Sequence, residues 1–220
     1  MTATRVIGFG LVDGEPIFMD ARTDTYFALE PDQNSDLLAL LDSGGQIGCY
    51  PCLAKAMGVG GEPAEIVRAE CPPAARSLVD EKAPAHWPGP ADLISTARLI
   101  IGTKYRLRRS PIETILENLL AAGTHGANST ACAQLSALAR RYLSARRFVP
   151  VKGNCLLDSL ALLRLLGPAR RGAMLVFGVK LHPFAAHCWV QADDLVLNDR
   201  LENVASFSPV RVIRCSDVTR

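Results

Sequence analysis

A change of period near residue 170 constrains this chain more than any other feature. Cys155-Leu156-Leu157-Asp158-Ser159-Leu160-Ala161-Leu162-Leu163 continues to Leu166 with apolar residues on every side, which reads as a buried helix stopped by Gly167-Pro168. Beyond it the apolar period falls to two. Ala173 to Val179, Ala186 to Gln191 and Leu195 to Asn198 read as strands of an antiparallel sheet, with Asp193-Asp194 as the turn between the second and third, and Val210 to Ile213 as a further strand. A helix apolar all round needs cover on every face, so the sheet takes one side and other helices the rest.

The preceding residues supply those helices. Asp92 to Tyr105 places Leu93, Ile94, Ala97, Ile100 and Ile101 at helical spacing, and Ser110-Pro111-Ile112-Glu113 is a capping box that opens a helix to Ala122. Thr130 to Arg146 gives a third, with Leu135, Leu138, Ala139 and Tyr142 facing inward. Residues 71–90 hold Pro72, Pro73, Pro84, Pro88 and Pro90 with little apolar periodicity, and are expected to be a stiff, exposed linker.

Ahead of the linker the reading changes. Arg5 to Phe9, Pro16 to Asp20 and Thr25 to Leu29 read as three strands, with Asp13-Gly14 as a turn between the first two. Short helices are expected through Leu37 to Leu41, around Leu53 to Met57, and near Pro63 to Arg68. Charge divides the chain at the same place. Residues 1–70 carry four Lys/Arg against eleven Asp/Glu, and residues 71–220 carry twenty against eleven. The expected organisation is therefore a small domain over 1–70, a linker over 71–90 and a larger domain over 91–220.

A thiol at the head of the buried helix has chemical meaning. The thiolate is the nucleophile, and an unperturbed cysteine has a pKa near 8.5. A helix start lowers it through free N–H groups and the positive end of the helix dipole, and a histidine can take the proton. His187 lies mid-strand, and Asp199 follows twelve residues later, where a tight hairpin brings it level with that histidine. Cys155 as nucleophile, His187 as general base and acid, and Asp199 as the group that orients His187 form the candidate catalytic set. Cys155 alone reads equally well as a core thiol; it is the three together that favour catalysis.

Other readings are weaker. Trp189 shares the strand face of His187 and is a candidate substrate contact, whereas Cys188 points to the opposite face and is expected to be a core thiol. His182, His86 and His125 lack a comparable carboxylate. Cys49-Tyr50-Pro51-Cys52 has no second ligand pair nearby, so neither a metal nor a cofactor is expected. Seven cysteines form no compact disulfide framework, no apolar run reaches the roughly 18 residues of a membrane span, and the N-terminus lacks an apolar signal region. A cytoplasmic protein with no membrane partner is expected. The basic residues cluster on helices with few aromatics between them, which favours solvated helix faces over nucleic-acid binding.

Two resemblances bear on these residues. Asn154-Cys155-Leu156, Leu175-Val176-Phe177-Gly178-Val179, Pro183 to Val190 and Asn198-Asp199 resemble the transglutaminase-like B proteins that mature lasso peptides, over roughly residues 95–215. Asp13-Gly14-Glu15, Phe18-Met19-Asp20 and Thr23 to Leu29 look like the PqqD-like precursor-recognition element of ribosomal peptide-modifying systems. Together they imply an α+β protein: a small winged-helix-like domain, then a transglutaminase/papain-like domain with helices packed on an antiparallel sheet. They also imply a leader peptide added beside the strand Thr25, Tyr26, Phe27, Ala28 and Leu29. The implied activity is cysteine peptidase cleavage of a lasso-precursor leader from its core. An ATP-dependent, asparagine-synthetase-like cyclase is the implied second partner. Another thiol acyl transferase, or a noncatalytic chaperone that presents the precursor, remain the alternatives.

Overall fold

The computed structural model describes residues 5–30, 33–43, 50–59, 64–81, 87–121 and 131–215. Strand β1 (Arg5–Val12) turns through Asp13-Gly14 into β2 (Glu15–Asp20), and a second turn leads to β3 (Thr25–Ala28). Both residues of the first turn have positive φ, 52° and 88°, as a two-residue hairpin requires. Helices α1 (Asn34–Ser43) and α2 (Pro51–Ala56) follow, then β4 (Ala64–Arg68). The sheet order is β3-β2-β1-β4, so β3 is an edge strand and β4 runs parallel to β1.

The remainder begins with β5 (Arg76–Ser77) and continues through helices α3 (Pro90–Leu107), α4 (Ile112–Ala121), α5 (Ala131–Arg146) and α6 (Cys155–Leu166). After a 3-10 turn come β6 (Met174–Leu181), β7 (Phe184–Ala192), β8 (Leu195–Val196), the short α7 (Leu201–Val204) and β9 (Ser208–Arg214). This sheet has the order β5-β8-β7-β6-β9; every pairing is antiparallel except that of β5 with β8.

Helix α6 is the centre of the core. Leu157, Leu160, Leu162, Leu163 and Leu166 are all buried, between β7 on one side and α3 and α5 on the other. At roughly 1.5–3 kcal/mol per fully buried leucine, this one helix accounts for a large share of the apolar stabilisation. The first sheet uses alternate residues in two ways. Ile7, Phe9 and Phe18 face α1 and α2, while Val12, Ile17, Met19 and Ala21 enter the same apolar cluster as α6. The two sheets meet where β1 passes β9. A Cβ on Gly10 would lie 2.0 Å from the Pro209 carbonyl oxygen, so only glycine permits the approach.

Three expectations are corrected. The third helix of a winged-helix arrangement is absent at residues 64–68; Ile66 and Val67 lie in a strand, where β-branched side chains pack well against β1. Residues 71–78 are not an exposed linker. Cys71 and Ala74 pack against the outer face of the second sheet, Ser77 and Leu78 are buried, and β5 extends that sheet, which makes it mixed. On α3, Ile94 and Ile101 face outward while Thr96, Ile100 and Thr103 are buried, because the inner stripe is set by α6, whose Arg164 donates to Thr103 at 2.8 Å. His86, His125, Cys49 and residues 216–220 lie outside the described residues. Among the described residues no helix is long and apolar enough to cross a membrane.

Candidate active site

Cys155 is the first residue of α6. Asn154 caps the helix, and its Oδ1 accepts the N–H groups of Leu156 (3.0 Å) and Leu157 (3.2 Å). The cap does not use the N–H of Cys155, which stays beside the sulfur. The loop that delivers the cysteine is clasped by Arg146. Its guanidinium donates to the carbonyls of Val149 (3.1 Å) and Val151 (3.0 Å) and, through Nε, to Asp158 Oδ1 (2.6 Å). One side chain thus ties the loop before the nucleophile to the helix after it.

His187 lies on β7, and its Nε2 makes a short hydrogen bond to Asp199 Oδ2. Since Nε2 serves Asp199, Nδ1 is the nitrogen left for Cys155. Asp199 is reached because Asp193-Asp194 forms a two-residue turn, pairing Ala192 with Leu195 and Gln191 with Val196. Just past β8, Asn198 fixes the register by accepting the Val190 N–H (2.8 Å) and donating to Ser159 Oγ (2.9 Å). Asp199 also accepts from Asn203 Nδ2 (2.9 Å) and the Arg200 N–H (2.7 Å), and its carbonyl receives the Ser77 hydroxyl.

The electrostatics favour a charged pair. Cys188, with help from His187 and the Cys188 N–H, outweighs burial and pulls the Cys155 thiol down to about 4. Burial opposes the charge on His187, but the Asp199 carboxylate and the Cys155 sulfur together push it up to about 9. Asp199 is itself held below the usual carboxylate range: burial raises it, and the bonds from His187, Arg200 and Asn203 outweigh that. Both shifts favour a thiolate beside an imidazolium over a neutral pair.

The structure therefore brings Cys155, His187 and Asp199 together. It treats other candidates differently. Trp189 is 2% exposed, stacks on His187 with ring centroids 6.1 Å apart, and donates to Gln191 Oε1 at 2.9 Å. It offers substrate no face; with Phe207, whose ring lies 5.1 Å away, it holds the imidazole in place. Leu29 lies beyond the end of β3, buried in the small core, and Phe27 stacks on Phe18. Thr25 and Ala28 are exposed along the edge, while Tyr26 turns toward the second sheet and meets Phe184.

Strand alternation places Cys188 correctly, as a core thiol. It is a buried thiol, as its position predicts, and it donates to Ser159 Oγ at 3.9 Å. Alternation forbids Cys188 from facing His187, but both lower the Cys155 thiol. Ser159, Asn198 and Asn203 were passed over. Ser159 carried a readable signal: the one hydroxyl of a mostly apolar helix, one turn after Cys155 and buried, needs a partner.

Comparison with protein families decides the class. The model of the transglutaminase-like superfamily matches residues 97–212, more than half of the 220 residues, from within α3 to within β9. The chain belongs to the transglutaminase-like superfamily. That superfamily includes cysteine peptidases and acyltransferases, and its fold is generally a cysteine-protease-like enzyme fold. Neither the curated proteins nor the solved structures compared with the chain give a match. The four-stranded sheet built by β1 to β4 lies outside the family match.

Proposed function

We propose that this transglutaminase-like protein is a cytoplasmic cysteine endopeptidase that removes the leader from a lasso-peptide precursor. The observation that carries the reading is the pairing of Cys155 at a helix start with His187 on β7, itself bonded to Asp199. In the proposed reaction the Cys155 thiolate attacks the carbonyl at the leader–core junction, and the Cys155 N–H supports the oxyanion. His187 gives its proton to the departing core amine, leaving a thioester. Water, deprotonated by the same imidazole, then releases the leader.

The first domain supplies selection. Strand β3 is a sheet edge with no further strand beside it among the described residues, so its backbone is free to pair with an extended leader. Binding away from the scissile bond raises the local concentration at a site that needs few contacts with the core. The freed core amine is the nucleophile that an ATP-dependent, asparagine-synthetase-like cyclase would join to a side-chain carboxylate. Incubation with the precursor tests the reading by mass: hydrolysis gives leader plus water and free core. Transfer of the leader to an added amine would instead mark an acyl transferase. Processing that survives Cys155→Ala would leave only a precursor-presenting chaperone.

A further inference from the structure

A cleft of about 690 Å³ opens between the β2–β3 turn and the corner joining α3 to α4. Arg22 and Asp24 stand on the turn, Lys104 and Arg108 at the end of α3, and Lys152 and Asn154 on the loop that delivers the nucleophile. Four cations and one carboxylate thus line a space whose wall includes Asn154 and Leu156, the residues on either side of Cys155. Lys104, Arg108 and Lys152 are all exposed to solvent. The floor is carbon, built by Leu107, Ile112 and Leu156.

We propose that this cleft is the specificity subsite of the peptidase and takes a peptide residue bearing a carboxylate beside the scissile bond. The inference rests on the peptidase reading above and adds the chemistry of the substrate. The apolar floor suits a side chain with a carbon stem, and the cationic rim suits its charged end. Position supports the same assignment. Asn154 caps the helix that Cys155 opens, so the cleft wall and the nucleophile belong to one turn of chain. Asp24 is close enough for the charge on Cys155 to help burial raise its carboxyl. Strand β3 begins at Thr25, the next residue, so a peptide laid along that edge runs directly into the cleft. Asp24 then sets polarity: it leaves the turn side less favourable to an anion, and directs the carboxylate toward Lys104, Arg108 and Lys152.

Two alkylating reagents of nearly equal size test this on the full chain. Iodoacetate carries a carboxylate and iodoacetamide does not, and the modified cysteine is located by peptide mass. The readout is the ratio of the two rates at Cys155 in wild type, Lys152→Glu and Arg108→Glu, with Lys152→Gln as the milder change if reversal impairs folding. The expected result is a ratio that drops roughly three- to tenfold on charge reversal and falls as salt is added. A ratio unchanged in all three variants overturns the subsite while leaving the nucleophile intact. Iodoacetamide reacting with Cys155 no faster than with exposed Cys52 at pH 6 overturns the peptidase reading itself, and the subsite with it.

Discussion

Cys188 follows His187 on β7 and donates its thiol to Ser159 Oγ at 3.9 Å, one helical turn after Cys155, and it is the largest influence that lowers the Cys155 thiol. The first prediction follows from that influence, which Cys188→Ala removes. A hydrogen bond to a charged group is worth about 1.5–3 kcal/mol, or roughly one to two pKa units. The acid limb of the rate of Cys155 alkylation, expected near pH 4 in the wild type, should therefore move up by that amount. An unmoved limb would show that His187 and the helix start suffice.

Asp199 governs the other limb. The His187 proton is lost as pH rises through about 9, and Asp199 is the leading group that holds it there against burial. In Asp199→Asn the carboxylate is gone, burial prevails, and the alkaline limb of activity should shift down. Turnover should fall by on the order of 10³-fold through loss of orientation as well as charge. A pH–rate profile separates the two effects, because a merely structural lesion lowers the plateau without moving the limb.

The meeting of Cys155, His187 and Asp199 was legible because its logic is short-range in the right places. Cys155 at a helix start, His187 on a strand and Asp199 after a two-residue turn require only periodicity and hairpin arithmetic, and the structure shows both. Strand β4 was not legible. It is five residues long, and its partner β1 lies some sixty residues earlier, with Arg5 beside Ala64. No local pattern reports such a pairing. The prolines of residues 71–90 were misread for a related reason: proline reports irregular backbone, and nothing in its spacing says that Ser77 and Leu78 are buried against β8. Trp189 shows the limit of face arguments, since sharing a face with His187 placed it under the ring rather than beside a substrate.

Asn198 links the site to the core. It bonds the β7 backbone at Val190 and the α6 hydroxyl of Ser159, and Asp199 is its neighbour. Asn198→Ala strands a buried N–H and releases the segment that carries the carboxylate. The expected cost is about 1–3 kcal/mol of stability. Turnover should drop by more than the unfolded fraction explains. Denaturant unfolding alongside kcat distinguishes the two contributions, and a loss of kcat that tracks folding alone would remove Asn198 as a positioning residue.

Asp20 ties the first sheet together. Its buried carboxylate takes both Arg5 and Thr23 Oγ1 (2.8 Å) and the Arg22 N–H (2.9 Å), which shapes the turn leading to Asp24 and β3. Burial raises this carboxyl, but the Arg5 guanidinium and the two turn donors outweigh it, and the folded pKa lies below the usual carboxylate value. A group lowered in the folded state contributes stability that is fully present above its unfolded pKa, near 4, and is lost as pH falls through the folded one. Thermal melts of the wild type should therefore lose stability on going below about pH 4, and Asp20→Ala should lack that part of the acid dependence. At pH 7 the variant leaves Arg5 without its partner and should be destabilised by about 3 kcal/mol, since a largely buried cation then stands unpaired. Because the turn carries one wall of the cleft beside Cys155, the same variant should weaken peptide binding more than it slows alkylation of the thiol by iodoacetamide. Equal losses in both would mean that the turn supports the nucleophile as a whole, and that Asp20 shapes the entire site rather than its substrate-facing wall.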